Sequence, residues 1–168
     1  MNKVYFITPT YNASYHLEDL YESLLEQTNE NWKWFILNDM SNDDTLEIAQ
    51  KIENKDKLKR VSVIAWTEKF ALKGICDCLS TFKETEYPDD SIIAIVDGDD
   101  ALCNENTVNL ILSEYEKNPN LDSLWTAHSW DINGMNISKE LPDNINPYQY
   151  PWVSSHLKTF KLGVFKKN

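Results

Sequence analysis

The apolar run Ile92–Val96 constrains the fold of this chain more than any other segment. Every residue in it is apolar, so both faces of a strand formed here would have to be covered. Such a strand is typical of the centre of a parallel sheet with helices on both sides. The run is also too short to cross a bilayer, and we expect no transmembrane segment. An acidic stretch, Asp97-Gly-Asp-Asp100, follows it directly.

Strand-like and helix-like segments alternate along most of the chain. This alternation predicts an α/β sandwich around a mostly parallel sheet, and 168 residues suit a single domain with a buried core. Cap-type residues at Asn12 and Ser14, and a capping-box spacing in Ser41–Asp44 that Asp44–Glu47 repeats, indicate where the first two helices begin. The predicted strands are Lys3–Thr8 (ending at Pro9), Trp32–Leu37, Val61–Ala65, Ile92–Val96 and Leu124–Ala127; two further helices are predicted at Ala71–Phe82 and Glu105–Lys117, and Thr159–Phe165 suits a strand or a helix edge.

The net charge of −11 disfavours nucleic acid as a partner, because its phosphates would be repelled. A phosphate-bearing ligand would need a local positive source, such as a metal ion, a helix N-terminus or a few basic side chains. The N-terminal segment Met1–Thr10 lacks the features of a signal peptide, and we therefore expect a cytoplasmic protein.

Three polar clusters follow three of the predicted strands. Ligands of open α/β sheets bind beyond the carboxyl ends of the strands, so residues that follow different strands should meet at one edge. This convergence predicts a ligand site. The clusters are Thr8–Asn12, Asn38–Asp44 and Asp97–Asp100.

The third cluster carries the most chemical information. Its carboxylates repel one another near a buried strand end, and a divalent cation would neutralise them. Carboxylate oxygens suit Mg²⁺ or Mn²⁺, which also bridge phosphate oxygens. Gly98 would allow a tight turn and close approach of a ligand. The alternative is a solvated acidic turn that caps the helix starting near Asn104.

Two other acidic motifs can be compared with this cluster. An EF-hand loop starting at Asp97 would need glycine and glutamate where Leu102 and Val108 stand, so this motif is excluded. An aspartyl-phosphate phosphatase also places Asp-x-Asp after an apolar strand. In that family the strand is normally the first of the sheet, and a Thr or Val closely follows the second Asp. Here the strand is the fourth, and Asp100-Ala101 follows the second Asp. The phosphatase remains a weaker alternative.

Four motifs, in order and spacing, resemble those of the GT-A-fold glycosyltransferases of family 2. The resemblance covers about residues 3 to 130, and Asn38 and Met40 depart from the family pattern. The motifs are Ile7-Thr-Pro-Thr-Tyr-Asn12, Ser23-Leu-Leu-Glu-Gln-Thr28, Ile36-Leu-Asn-Asp-Met-Ser-Asn-Asp-Asp-Thr45 and Ile95-Val-Asp-Gly-Asp-Asp100.

The resemblance implies a GT-A (Rossmann-like) three-layer α/β/α sandwich over residues 1–168. It also implies metal-dependent, inverting transfer of a sugar from a nucleoside-diphosphate donor, here expected to be a UDP-sugar, to a saccharide or protein acceptor. The cofactor would be Mn²⁺ or Mg²⁺. The expected nucleotide-sugar-binding residues are Pro9, Tyr11, Asp39, Lys73, Asp97, Asp99 and Asp100, and the expected metal ligands are Asp97, Asp99 and His156.

The region from about residue 131 to 168 matches the family poorly. Family members commonly have a catalytic carboxylate in a Glu-Asp pair, and no such pair follows Asp100. We therefore expect a short or truncated acceptor-binding part. Asp131 is the first candidate for the base, because it follows the fifth predicted strand. The second hypothesis is a non-catalytic module that binds the nucleotide sugar.

Overall fold

The computed structural model describes residues 3–67, 69–83, 86–138, 141–142, 145–146, 149–150 and 157–167. It contains one sheet with the strand order β3-β2-β1-β4-β6-β5. The first four strands run parallel, and β6 is antiparallel to both of its neighbours. The strands are β1 (Val4–Thr10), β2 (Trp32–Asn38), β3 (Val61–Ala65), β4 (Ile92–Ile95), β5 (Ser123–Trp125) and β6 (Lys158–Lys161). The helices are α1 (Leu17–Leu25), α2 (Thr45–Lys55), α3 (Ala71–Ser80), α4 (Thr107–Lys117) and α5 (Leu162–Lys166).

Alternate residues of the central strands face two separate apolar cores. Val4 and Phe6 of β1 pack with side chains of α1, α2 and α4. Tyr5 and Ile7 point to the opposite face and pack with side chains of α3 and α5. Because each face of the sheet is covered by helices, β4 is apolar throughout. The three-layer sandwich and the mostly parallel sheet are confirmed. No helix in the described part of the chain has the length and apolar character needed to cross a membrane.

Pro9 does not end β1, contrary to the prediction. Pairing of β1 with β4 stops at Ile7, whereas pairing with β2 continues through Thr10. Backbone groups of alternate residues point to opposite neighbours, so Pro9 faces the β4 side, beyond the last β4 pair. A missing N–H therefore costs no ladder hydrogen bond at this position.

The predicted cap residues of α1 were wrong, whereas Asp44, predicted in one of two registers, does occupy the N-cap position of α2. His16 occupies the N-cap position of α1 without a side-chain cap hydrogen bond, and neither Asn12 nor Ser14 caps this helix. Asn12 instead has a left-handed backbone, with φ of 53°. Asp44 precedes α2 without a side-chain cap, and it is Asp43 that accepts the N–H of Thr45. These polar side chains serve contacts between loops, described below.

The segment Thr159–Phe165 contains the end of β6 and most of α5. The N–H of Leu162, the first residue of α5, donates to the carbonyl of Ser91, just before β4. The other predicted elements are present and differ at their ends by at most two residues.

Candidate functional site

The order of the strands reverses between β1 and β4, because the chain adds β2 and β3 on one side of β1 and β4 on the other. In open α/β sheets the crevice at such a point takes the ligand. A cavity of about 370 Å³ lies there, at the carboxyl ends of β1, β2 and β4. Its lining residues are Pro9, Thr10, Tyr11, Asn12, Ala13, His16, Asp39, Ala71, Asp97, Gly98 and Asp99.

The three polar clusters of the sequence all contribute to this cavity. Five of the predicted ligand-binding residues line it: Pro9, Tyr11, Asp39, Asp97 and Asp99. Asp100, Lys73 and Asp131 are not among the lining residues. His156 lies outside the described residues.

Asp39 forms part of the cavity wall where β2 ends. Its side chain is buried, its N–H donates to the Thr10 carbonyl at 2.8 Å, and its Oδ1 accepts the N–H of Phe70 at 2.8 Å. The residue therefore joins the end of β1 to the loop before α3. Its carboxylate makes no other hydrogen bond within the described residues, so Oδ2 is available to a ligand.

The loops after β1 and β2 are tied together by side-chain hydrogen bonds. Asn12 donates its N–H to Ser41 Oγ at 3.1 Å and accepts the N–H of Asn42 at 3.0 Å. Asp43 accepts the N–H groups of Ser14 and Thr45. Desolvation alone would raise the pKa of Asp43, but its hydrogen bonds with Thr45 and Ser14 outweigh this and lower the pKa to about 2. The carboxylate therefore stays charged, and it holds the β1–α1 loop beside the cavity.

Gly98 lies in the turn closed by the Asp100 N–H and the Asp97 carbonyl, and close packing is what requires a glycine there. Its backbone does not have a positive φ, so the turn itself does not need the conformational freedom of glycine. A Cβ at this position would lie 2.9 Å from Thr10 Cγ2 and 3.2 Å from Ala13 Cβ. The missing side chain thus allows the Asp97–Asp99 turn to pack against the end of β1.

Asp97 and Asp99 are exposed at the cavity and fit the requirements of a divalent cation. No group of three potential metal-ligating His, Cys, Asp or Glu side chains is found among the described residues. Mg²⁺, however, is commonly held by one or two carboxylates together with phosphate oxygens and water. Two carboxylates on one wall of a cavity suit this mode, in which the ligand completes the coordination.

Tyr11 and Lys69 form a contact at the cavity that was not predicted. The Lys69 ammonium lies 3.3 Å from the centroid of the Tyr11 ring, and Tyr11 is 46% exposed. By contrast, the predicted Lys73 forms an exposed ion pair with Asp77, with Nζ 2.7 Å from Oδ2. His16 also lines the cavity and was missed. Its position at the start of the helix that follows β1 is the signal that could have identified it.

Comparisons with known proteins agree with this architecture. A sequence profile of glycosyl transferase family 2 matches residues 5–164. The protein TuaG of Bacillus subtilis (strain 168), named as a putative teichuronic acid biosynthesis glycosyltransferase, is 32% identical over 94 residues, which are 56% of this chain and 34% of TuaG. This chain therefore spans about a third of that relative.

Solved structures show the same fold. S. aureus TarS 1-349 in complex with UDP superposes with a TM-score of 0.76 at 21% identity, covering 99% of this chain and 48% of that one. The complex of TarS 1-349 with UDP-GlcNAc gives a TM-score of 0.74 at 21% identity, with coverage of 99% and 47%. The mannosyltransferase PcManGT from Pyrobaculum calidifontis, in complex with GDP-Man and Mn²⁺, gives 0.72 at 14% identity, with coverage of 98% and 46%.

This chain thus spans about half of each of these solved chains. At such low sequence identities the structural likeness establishes the GT-A fold of this chain and does not establish its activity. The profile match, in contrast, extends over nearly the whole sequence. The chain accordingly belongs to glycosyl transferase family 2.

Proposed function

We propose that this chain binds a nucleoside-diphosphate sugar, specifically a UDP-sugar, and provides the donor-binding part of an inverting, metal-dependent glycosyltransferase. The observation that carries the proposal is the meeting of Tyr11, Asp39, Asp97 and Asp99 in one cavity at the strand-order reversal. Family membership supports it. So do the bound UDP and UDP-GlcNAc of the TarS complexes, which share the fold. The acceptor would be a saccharide or protein hydroxyl.

In this proposal the base and ribose occupy the part of the cavity near Pro9, Tyr11 and Asp39. The exposed ring of Tyr11 offers an aromatic surface for stacking, and the Lys69 ammonium lies over this ring. Asp39 would accept a hydrogen bond from the base or a ribose hydroxyl through Oδ2. Because Oδ1 is bound to Phe70 N–H, the carboxylate is oriented before the ligand arrives.

Asp97 and Asp99 would hold Mn²⁺ or Mg²⁺ beside the diphosphate, with Asp100 as the alternative ligand. When bound, the metal offsets the negative charge that develops on the leaving diphosphate. Asp100 donates its N–H to the Asp97 carbonyl, which fixes the turn that carries all three carboxylates. If Asp97 is not a ligand of the metal, we expect its carboxylate to contact the ribose.

The diphosphate needs positive charge in a chain whose net charge is −11. Lys69, in contact with Tyr11, forms no ion pair within the described residues. Lys73 lies in the first turn of α3, and its exposed ion pair with Asp77 is worth roughly 0–1 kcal/mol. We assign both lysines to the phosphate side of the cavity.

The second candidate function is a binding module without catalysis. It is favoured by the position of Asp131, which is exposed in a turn enclosed by the Ser129–Asn136 bridge and does not line the cavity. The family match favours transfer over the phosphatase alternative. Inversion would require a carboxylate that takes the proton of the attacking acceptor hydroxyl.

If Asp131 is this base, Asp131→Asn should reduce transfer by about 10²–10⁴-fold, which is the usual contribution of general base catalysis. UDP binding should stay unchanged, because Asp131 does not line the cavity at the strand-order reversal, which we call the donor cavity after its proposed ligand. The measurement is sugar transfer from UDP-glucose, UDP-galactose and UDP-GlcNAc to a panel of saccharide acceptors. Transfer by the parent that survives Asp131→Asn would remove this residue from the mechanism.

Metal-linked binding of UDP tests the proposed function directly. UDP at about a hundred times its Kd stabilises the native state by about 2.7 kcal/mol, so Tm should rise by about 5–10 °C when Mn²⁺ is present. A chelator should remove most of this shift, because the diphosphate would then face Asp97 and Asp99 without the metal. A Tm shift of equal size with Mn²⁺ and with chelator would contradict the metal role. No shift under either condition would contradict the donor site itself.

A further inference from the structure

A second cavity, of about 300 Å³, lies at the amino edge of the sheet, opposite the donor cavity. Lys3 lines it just before β1, Lys33 lines it from the start of β2, and Ser91 lines it just before β4. Tyr5 contributes from the face of β1 that packs against α3 and α5. We call this cavity the amino-edge pocket. Its volume is at the lower limit of small-molecule sites, which span roughly 300–1,000 Å³.

Two largely buried residues that carry hydroxyl groups, Tyr5 and Ser91, line the amino-edge pocket. Tyr5 is 7% exposed and Ser91 is 4% exposed, and both belong to the lining. Neither side chain hydrogen-bonds to any group in the described part of the chain. Neither hydroxyl is among the fully buried side-chain atoms that lack a partner, so both reach the pocket. They are therefore available to donate hydrogen bonds to water or to a ligand in it.

The charges at the pocket differ from those of the rest of the molecule. Two lysines, Lys3 and Lys33, line it together with a single carboxylate, Glu86. Neither lysine forms an ion pair within the described residues. This excess of positive charge stands out in a chain with a net charge of −11.

Aromatic rings form the remaining wall and hold the polar groups in place. Tyr87 meets Tyr5 edge-on, with ring centroids 5.1 Å apart, and Lys33 Nζ lies 5.9 Å from the Tyr87 centroid. Burial, followed by the nearby Glu86 charge, raises the pKa of the Tyr5 hydroxyl. The hydroxyl thus remains a proton donor at neutral pH.

We propose that the amino-edge pocket binds a small molecule through one oxyanion, a phosphate or a carboxylate. Lys3 and Lys33 pair with its charge, and Tyr5 and Ser91 donate hydrogen bonds to its oxygens. Charge-assisted hydrogen bonds of this kind are stronger than neutral ones. The Tyr87 ring packs against the body of the ligand, and Glu86 disfavours a second negative group nearby. The site is separate from the donor cavity and does not depend on the proposed transferase activity.

The test is to titrate the 168-residue chain separately with inorganic phosphate, glycerol 3-phosphate and acetate. Isothermal titration calorimetry measures the affinity, and ¹⁵N NMR chemical shifts identify the residues that respond. We expect saturable shifts at the amides of Tyr5, Lys33 and Ser91. Lys33→Gln should weaken binding about tenfold, and Tyr5→Phe, which keeps the ring packing, should weaken it severalfold. Preference for phosphate or for acetate identifies the class of oxyanion.

Lys55→Gln is the matched control. Lys55 Nζ lies 5.8 Å from the centroid of the Tyr21 ring, a distance close to that of Lys33 from Tyr87, but it lines neither of the two cavities. This variant should bind the anions as the parent does, and Lys33→Gln should bind UDP with Mn²⁺ as the parent does. Absence of saturable binding by all three anions, or equal losses in Lys33→Gln and Lys55→Gln, would overturn the proposal.

Discussion

Asp99→Ala is expected to abolish the Mn²⁺-dependent part of UDP binding and to leave the fold intact. Asp99 is exposed at the donor cavity, and its carboxylate makes no hydrogen bond within the described residues. The side chain is therefore available to a metal and contributes little to the folded state. Loss of one of three neighbouring carboxylates also reduces their repulsion, so the Tm of the protein without ligand should be equal or slightly higher.

The measurement is the Tm and the calorimetric Kd for UDP with Mn²⁺ and with chelator. We expect a loss of affinity of about a hundredfold with Mn²⁺, which corresponds to about 2.7 kcal/mol, and little change with chelator. Asp100→Ala is the matched control, because it removes a carboxylate from the same turn that does not line the cavity. If Asp99→Ala binds as the parent does while Asp100→Ala does not, Asp100 is the ligand.

Gly98→Ala is expected to lower both stability and UDP affinity. The new Cβ would lie 2.9 Å from Thr10 Cγ2, which belongs to a buried side chain that cannot move freely. Overpacking of this kind costs about 1–3 kcal/mol. Because the clash pushes the Asp97–Asp99 turn away from β1, the two carboxylates should also lose their position at the cavity. Urea unfolding and UDP calorimetry measure the two effects separately.

A compensating substitution identifies the cause of the Gly98→Ala effect. Thr10→Ser removes Cγ2 and retains the hydroxyl that donates to the Leu37 carbonyl. The double variant should recover a large part of the stability lost by Gly98→Ala, which appears as a coupling energy in the double-mutant cycle. Additive losses in the double variant would show that Thr10 is not the obstacle.

The sequence predicted the donor cavity well because its residues follow strands. Ligands of open α/β sheets bind beyond the carboxyl ends of the strands, so the assignment of β1, β2 and β4 predicted that Tyr11, Asp39 and Asp99 lie together. The structure brings these three residues into one cavity. Their chemical roles remain proposals. The turn at Gly98 was predicted, but its close packing against Thr10 was not, because a distance between the Asp97–Asp99 turn and Thr10 cannot be derived from residue type.

Features that depend on contacts between distant segments were not predicted. Asn12 and Ser14 are good cap residues, yet they bind groups about thirty positions later in sequence, because tertiary contacts outweigh local capping preferences. The contact of Lys69 with Tyr11 joins two loops and has no local signature. The position of β6 between β4 and β5 likewise follows from long-range pairing, for which the segment itself carries only weak strand features.

The position of β6 has a consequence for the order of events during synthesis. Lys158 pairs with Ile95 across roughly sixty residues of chain, and such pairings are among the slowest to form. The residues that line the donor cavity all lie between Pro9 and Asp99, and their strands pair with one another. All the residues that line the cavity are therefore synthesised before β6, and β6 contributes none of them. The proposed recognition of the donor is thus encoded in a part of the polypeptide that is made before the sheet can be completed.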